Sequence, residues 1–264
     1  MIINQNFNDF KFRHRSKKNQ IIYTLKKVKN DEEILNLIDN FFEEKNSFIF
    51  ESVEKGKIKG RYTIFGKNPD KIWEFNNQNS YLIKNNKRLK LKEKPEHLIE
   101  KIIEEFKFDT PKNLPKICSL ISGYFSYDSI RYIEKIPNSC INDLNIPDVR
   151  LLRPRTLIIY DNFKKEIYYI VNIFNDEKIY NYQKKFDDIK VELFNLLTQS
   201  SIKSFNKKKF KNSGSIKVKS NTPKSKFLNM VKKAKEYIKL GDIFQVVLSQ
   251  RFEAKLTKSP LDIY

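Results

Sequence analysis

The hydrophobic positions of this chain change period several times, and each change marks an element. Ile21, Ile22, Tyr23 and Leu25 make a short β-branched and aromatic run that reads as a strand. Asp31 then precedes Ile34, Leu37, Ile38, Phe41 and Phe42, spaced by threes and fours, so a helix over 31–44 capped by Asp31 is expected. Four short runs follow at 47–53, 60–65, 71–75 and 81–84, divided by Gly, Asn and Pro, and strands so short and close together pair antiparallel. Pro95 suits the first turn of a second helix, with Leu98, Ile99, Ile102, Ile103 and Phe106 at helical spacing behind it. Residues 117–125 are almost continuously apolar, which predicts a central strand covered on both faces, passing through Gly123 into a short helix. Runs at 155–161 and 166–172 flank the polar stretch Asn-Phe-Lys-Lys and predict a hairpin. An amphipathic helix over 176–197 carries Ile179, Tyr182, Phe186, Ile189, Leu193 and Leu196.

The pattern breaks at 203–226, where nine lysines and no acid alternate with Ser, Asn and Gly. Such a run reads as a solvated linker. It sets a first domain, 1–200, apart from a Lys-rich linker, 201–221, and a second domain over 222–264. In the second domain Thr222 and Pro223 are expected as cap and first residue of a helix bearing Phe227, Val231, Ala234 and Ile238 and closed by Gly241, with 243–252 as a strand. About 40 residues are too few to cover both elements, so the pattern implies a second domain that is incomplete. The fold class is α+β, antiparallel sheets with flanking helices.

Composition adds boundaries. At 264 residues, with 21 Phe and 13 Tyr, the chain has the size and the apolar surface for a real core. It contains neither a secretory leader pattern nor an apolar run of about 20 residues, so a cytoplasmic protein with no membrane partner is expected. Cys118 and Cys140 fit neither a zinc site nor a disulfide framework and read as reduced structural thiols. The net charge of +20 comes from lysines scattered among many Asn and Ile, and the linker run contains no Arg, so no nucleic-acid partner is expected. His14 and His97, far apart in charged surroundings, read as solvated surface residues. No phosphate-binding glycine loop, zinc helix or nucleophile elbow is present.

Four segments carry more. Residues 48–66, FIFESVEKGKIKGRYTIFG, followed by Pro69 and Asp70, resemble the amino-terminal signature of the large subunit of anthranilate synthase, with Ile49 and Phe50 in place of two leucines and Thr63 in place of a serine. GYFSYDSIRYIEKIP (123–137), IPDVRLLRPRTLIIYD (146–161) and FLNMVKKAKEYIKLGDIFQVVLSQRF (227–252) resemble further segments of that family, in the same order. The resemblance implies a subunit that converts chorismate and ammonia to anthranilate and pyruvate with Mg²⁺, takes ammonia from a glutamine amidotransferase partner and is inhibited by L-tryptophan.

It further implies a regulatory tryptophan site at Glu51 and Ser52, faced by Arg61 and Tyr62. An amino-acid ligand needs an acceptor for its ammonium, donors for its carboxylate and an apolar slot for its ring, and Glu51, Ser52 and Arg61 supply the polar set. Gln245 falls at the family's active-site glutamine beside chorismate, where related enzymes that add water carry lysine; an amide cannot activate water. The family's Mg²⁺ carboxylates and catalytic histidine lie downstream of Tyr264, so no metal ligand is expected here. The expectation is a fragment truncated within the chorismate-binding domain and inactive alone. Two alternatives stand beside it. One is the sister subunit that makes aminodeoxychorismate for folate, against which the ESVEKGKIKGRY and VVLSQRF segments weigh; the other is a non-catalytic tryptophan-sensing module.

Overall fold

The computed structural model describes residues 1–28, 32–41, 45–51, 60–138, 142–199, 216–256 and 263. In chain order it contains α1 (Phe7–Arg15), β1 (Gln20–Lys27), α2 (Glu32–Phe41), β2 (Phe48–Phe50), β3 (Tyr62–Asn76), β4 (Asn79–Lys84), β5 (Lys87–Leu91), α3 (Pro95–Glu105), a 3-10 turn at Lys116–Cys118, β6 (Ser122–Phe125) and a second 3-10 turn at Tyr127–Tyr132. It continues with β7 (Val149–Asp161), β8 (Glu166–Ile173), α4 (Tyr182–Gln199), β9 (Val218–Ser220), α5 (Lys224–Leu240) and β10 (Phe252–Ala254). Two compact units divide it, 1–205 and 206–264.

The first unit is organised by a long antiparallel ribbon of β3 and β7, paired from Tyr62↔Asp161 to Phe75↔Val149. The register shifts between Pro69 and Lys71, leaving Asp70 as the extra residue of a bulge. The halves of the ribbon on either side of this bulge take different neighbours. Near Tyr62, β2 joins β3, while β8 and then β1 extend from β7; near Asn76, β4 and β5 extend from β3, while β6 joins β7. All these pairings are antiparallel.

Central strands read as unbroken apolar runs because both faces are covered. On one face Ile22, Phe65, Ile158, Tyr160, Tyr169 and Val171 pack under Phe10 of α1, Ile34 and Leu37 of α2, and Phe186, Ile189, Leu193 and Leu196 of α4. The alternating residues Ile21, Ile64, Leu157, Ile159, Tyr168 and Ile170 meet Leu114 and Cys118 on the other. A third cluster seats Leu98 and Ile102 of α3 on Trp73, Phe75, Val149 and Leu151. Cys118 is a free, fully buried thiol that burial pushes up to about 12, in keeping with a structural role.

Several expectations are corrected. The runs at 60–65 and 71–75 belong to one strand, since a proline tolerated only at a bulge sits there, with Pro69 opposite Pro154. The apolar stretch 117–125 is no central strand: 117–120 turn and pack on the second face, and β6 pairs only with β7 among the described residues. Helix α1 was not predicted, and it makes His14 a buried residue rather than a solvated one, whereas His97 is exposed. In the second unit the cap of α5 is Pro223, one position beyond Thr222, and Gly241 closes the helix at φ +81°. The expected strand over 243–252 shrinks to Phe252–Ala254, paired with Val218–Ser220, because a strand needs a ladder and the described residues of this unit offer a three-residue one. Asp31, Ser52, Cys140 and 201–215 of the linker lie outside the described residues.

Asparagine handles many of the corners. Asn46, Asn68, Asn77, Asn85, Asn86 and Asn145 all have positive φ. Asn85 and Asn86 form the two-residue turn between β4 and β5, and Asn77 with Gln78 does the same between β3 and β4, the geometry that matches the right-handed twist of paired strands.

Candidate functional site

The β2 and β3 strands bring the predicted regulatory residues to one end of the sheet. Their pairing, Phe48↔Gly66, Ile49↔Phe65 and Phe50↔Ile64, leaves Glu51 just past the ladder, while Arg61 precedes and Tyr62 opens the partner strand. The Phe48 ring lies across Gly66, where a Cβ would stand 2.2 Å from it, so this close approach requires glycine. The Phe48 and Phe50 rings are 5.0 Å apart, and Phe50 and Glu51 are exposed. Tyr62 packs partly buried against the second-face cluster, and that burial pushes its phenol up. Ser52, the remaining member of the predicted set, lies outside the described residues.

Arg61 is clasped by Asp161 at the opposite end of the register pair Tyr62↔Asp161. Its Nε donates to Oδ1 at 3.0 Å and Oδ2 at 3.2 Å, and its Nη2 donates to Oδ2 at 2.7 Å. The Asp161 side chain is fully buried, while a quarter of the Arg61 side chain is exposed. Oδ1 also accepts the N–H groups of Phe163 and Lys164, each at 3.0 Å, and the Asn162 N–H donates to the Arg61 carbonyl at 2.8 Å. Burial alone would raise the Asp161 carboxyl; the Arg61 and backbone hydrogen bonds outweigh it and hold the group below the usual carboxylate range. The hydrogen bonds to Asp161 raise Arg61 further. The rings of Tyr62 and Phe163 lie 5.0 and 5.5 Å from the guanidinium carbon.

Asp161 ends the 146–161 segment, and no role for it follows from the sequence. Its local signal was legible, an Asp opening a polar hairpin turn where its carboxylate caps the next N–H groups. Its partner 100 positions earlier was not. Gln245 lies in the second unit, exposed, on a stretch outside any strand or helix.

A cleft of about 1120 Å³ opens beside α4, lined by residues that include Lys67, Asp70 and Arg155 and by none of the predicted residues. Most of its carboxylates are spent internally. Arg153 is held by Asp70 and Asp176, Lys71 also pairs with Asp176, and Glu177 takes Arg155 and Lys185 at 2.8 and 2.6 Å. Among the described residues no three His, Cys, Asp or Glu side chains gather where they would hold a metal ion. No described helix is long and apolar enough to cross a membrane.

The family model for chorismate binding enzymes matches residues 45–264, spanning both units. The chain belongs to that family. Within the chorismate-binding enzymes it is 34% identical over 254 residues to anthranilate synthase component 1 of Acetivibrio thermocellus, covering 93% of this chain and 51% of the relative. It is 26% identical to anthranilate synthase component 1 of Cereibacter sphaeroides over 264 residues, 98% of this chain and 53% of that one. The chain thus spans about half the length of the curated relatives it matches. The crystal structure of anthranilate synthase component I from Streptococcus pneumoniae aligns at a TM-score of 0.62 and 24% identity, over 86% of this chain and 48% of that one. That likeness shows the expected α+β architecture, antiparallel sheet with flanking helices, to be the fold of anthranilate synthase component I.

Proposed function

We propose that this chorismate-binding chain is the tryptophan-sensing portion of an anthranilate synthase large subunit. The whole enzyme converts chorismate and ammonia to anthranilate and pyruvate, with ammonia delivered by a glutamine amidotransferase subunit. The observation that carries the reading is the 34% identity to anthranilate synthase component 1 across 93% of the chain. The end of β2 and the start of β3 support a feedback site there: Arg61 is suited to a carboxylate, Glu51 to an ammonium, and Phe50 and Tyr62 to an aromatic ring. Gln245 is assigned to the edge of the chorismate pocket, and Mg²⁺ to the intact subunit. Turnover belongs to the intact subunit as well, and the chain by itself is inactive.

Calorimetric titration of L-tryptophan into the chain, beside an anthranilate fluorescence assay with chorismate, ammonium and Mg²⁺, tests this. Saturable binding of L-tryptophan in preference to D-tryptophan is expected, weakened about tenfold by Glu51→Ala through loss of one charged contact, with no anthranilate above blank. Indifference to the enantiomer would remove the sensing role; anthranilate formed by the chain alone would remove the assignment of turnover to the intact subunit.

A further inference from the structure

The clasp between Arg61 and Asp161 joins a buried anion to a partly exposed cation. A guanidinium has five N–H donors in a rigid plane. Asp161 takes the edge formed by Nε and Nη2. Among the described residues Nη1 has no hydrogen-bond acceptor, so the edge formed by Nη1 and the second Nη2 hydrogen is left for a planar anion. The Asp161 carboxylate cannot turn, because the Phe163 and Lys164 N–H groups fix Oδ1 and the Asn162 N–H fixes the Arg61 backbone. Tyr62 and Phe163 lie close to the guanidinium and hinder approach across its faces, which directs a ligand to that edge.

We propose that Asp161 is a positioning residue for effector recognition: it aims the outward edge of Arg61 at the α-carboxylate of an amino-acid ligand. This rests on the tryptophan-sensing reading above and adds the group that discriminates the carboxylate. An ion pair serving stability alone gains little from leaving one partner in solvent, whereas a carboxylate reader needs one edge buried and pinned and the other open.

The test compares L-tryptophan with tryptamine, which has the same ring and ammonium but no carboxylate, by calorimetry on the 264-residue chain. Asp161→Asn preserves the acceptor for the turn N–H groups and removes the charge that holds Arg61. It is expected to cut the preference for L-tryptophan over tryptamine about tenfold while leaving tryptamine affinity unchanged. Arg61→Lys, which retains charge and loses the fork, is expected to do the same and serves if Asp161→Asn fails to fold. A purely structural role would weaken both ligands alike, and either that result or an unchanged preference overturns the proposal. If the unaltered chain takes up no L-tryptophan, the sensing reading falls and the positioning role with it. Binding weakened by Glu51→Ala but untouched at Asp161 and Arg61 would remove the positioning role alone.

Discussion

His14 is held on both ring nitrogens, with Nδ1 3.1 Å from the Tyr182 hydroxyl and Nε2 3.0 Å from the Glu177 carbonyl. A carbonyl only accepts, so Nε2 carries the proton and Nδ1 receives the Tyr182 O–H, the arrangement of a neutral ring. Burial lowers its pKa from the ordinary 6.5, with the Glu177 carbonyl and carboxylate opposing that shift. The sign follows directly. Below about pH 6.5 the unfolded chain takes up a proton that the folded chain resists, so stability due to neutral His14 is complete above that value and is lost as pH falls toward the lowered folded pKa. Thermal melting of the chain between pH 7.5 and 5 is expected to show a decline that His14→Gln flattens. An unflattened profile would assign the decline to other groups. Nothing in the sequence near His14 announced this, because Tyr182 and Glu177 lie more than 160 positions away.

Among the elements, the bulged ribbon shows what local pattern reveals and what it hides. The hairpin of β7 and β8 was legible, since two β-branched runs flank a polar turn, and so was α4, whose apolar residues fall on one helical face. Asn68 and Pro69 looked like a break between strands because a proline interrupts an isolated strand; only the facing strand, with its own Pro154, turns that break into a bulge. Helix α1 escaped because only Phe10 and His14 are buried on it, too few to make a period. The site divides the same way. Glu51, Arg61 and Tyr62 are candidates from a motif, while the grip of Asp161 on Arg61 has no local signal, being a contact across one end of the β3–β7 register between residues 100 positions apart. At the bulge, Arg153 is nearly buried between Asp70 and Asp176 and lies 3.8 Å from the centre of the Phe174 ring. Arg153→Leu leaves Asp70 without its cation, while Asp176 keeps Lys71, and is expected to cost about 3 kcal/mol, read as a lowered urea midpoint; adding Asp70→Asn should recover part of that loss. A midpoint unchanged in Arg153→Leu would mean the bulge is held by packing alone.

For the molecule as a whole, charge is divided unevenly. Residues 206–264 hold 15 basic and 4 acidic residues, a net +11 out of +20. The nine lysines at 203–226 straddle the boundary between the two units and give trypsin many targets in a short span. Brief digestion is expected to cut first within 203–226 and leave a soluble core ending near residue 200, identified by intact mass. Survival of that stretch while sites elsewhere are cut would place the division elsewhere. The sheet also treats its edges differently. The outer strand β5 carries Lys87, Arg88 and Lys90, charges that discourage pairing with another chain, while the edge of β1 is lined by Ile2 and Asn4, whose groups bond to Ile21, Tyr23 and Thr24.

The asparagine corners bear on how such a sheet comes together. Glycine would adopt these left-handed angles at no steric cost but would leave the unfolded chain more freedom to lose, a difference of about 0.4–1 kcal/mol per site where the backbone angle is tolerated. With only six glycines in the chain and asparagine at six left-handed positions among the described residues, the unfolded ensemble is already narrowed at these turns. The hairpins on either side of β4 close loops of two residues, so their entropy of closure is small. The β3–β7 ribbon must bring together residues as far apart as Arg61 and Asp161, 100 positions, and the β1–β8 ladder joins Gln20 to Ile173, 153 positions apart, so these two ladders bear most of the chain-closure cost. By that measure the order of assembly runs from the asparagine turns outward, with β1, whose partner lies farthest along the chain, the last to find it.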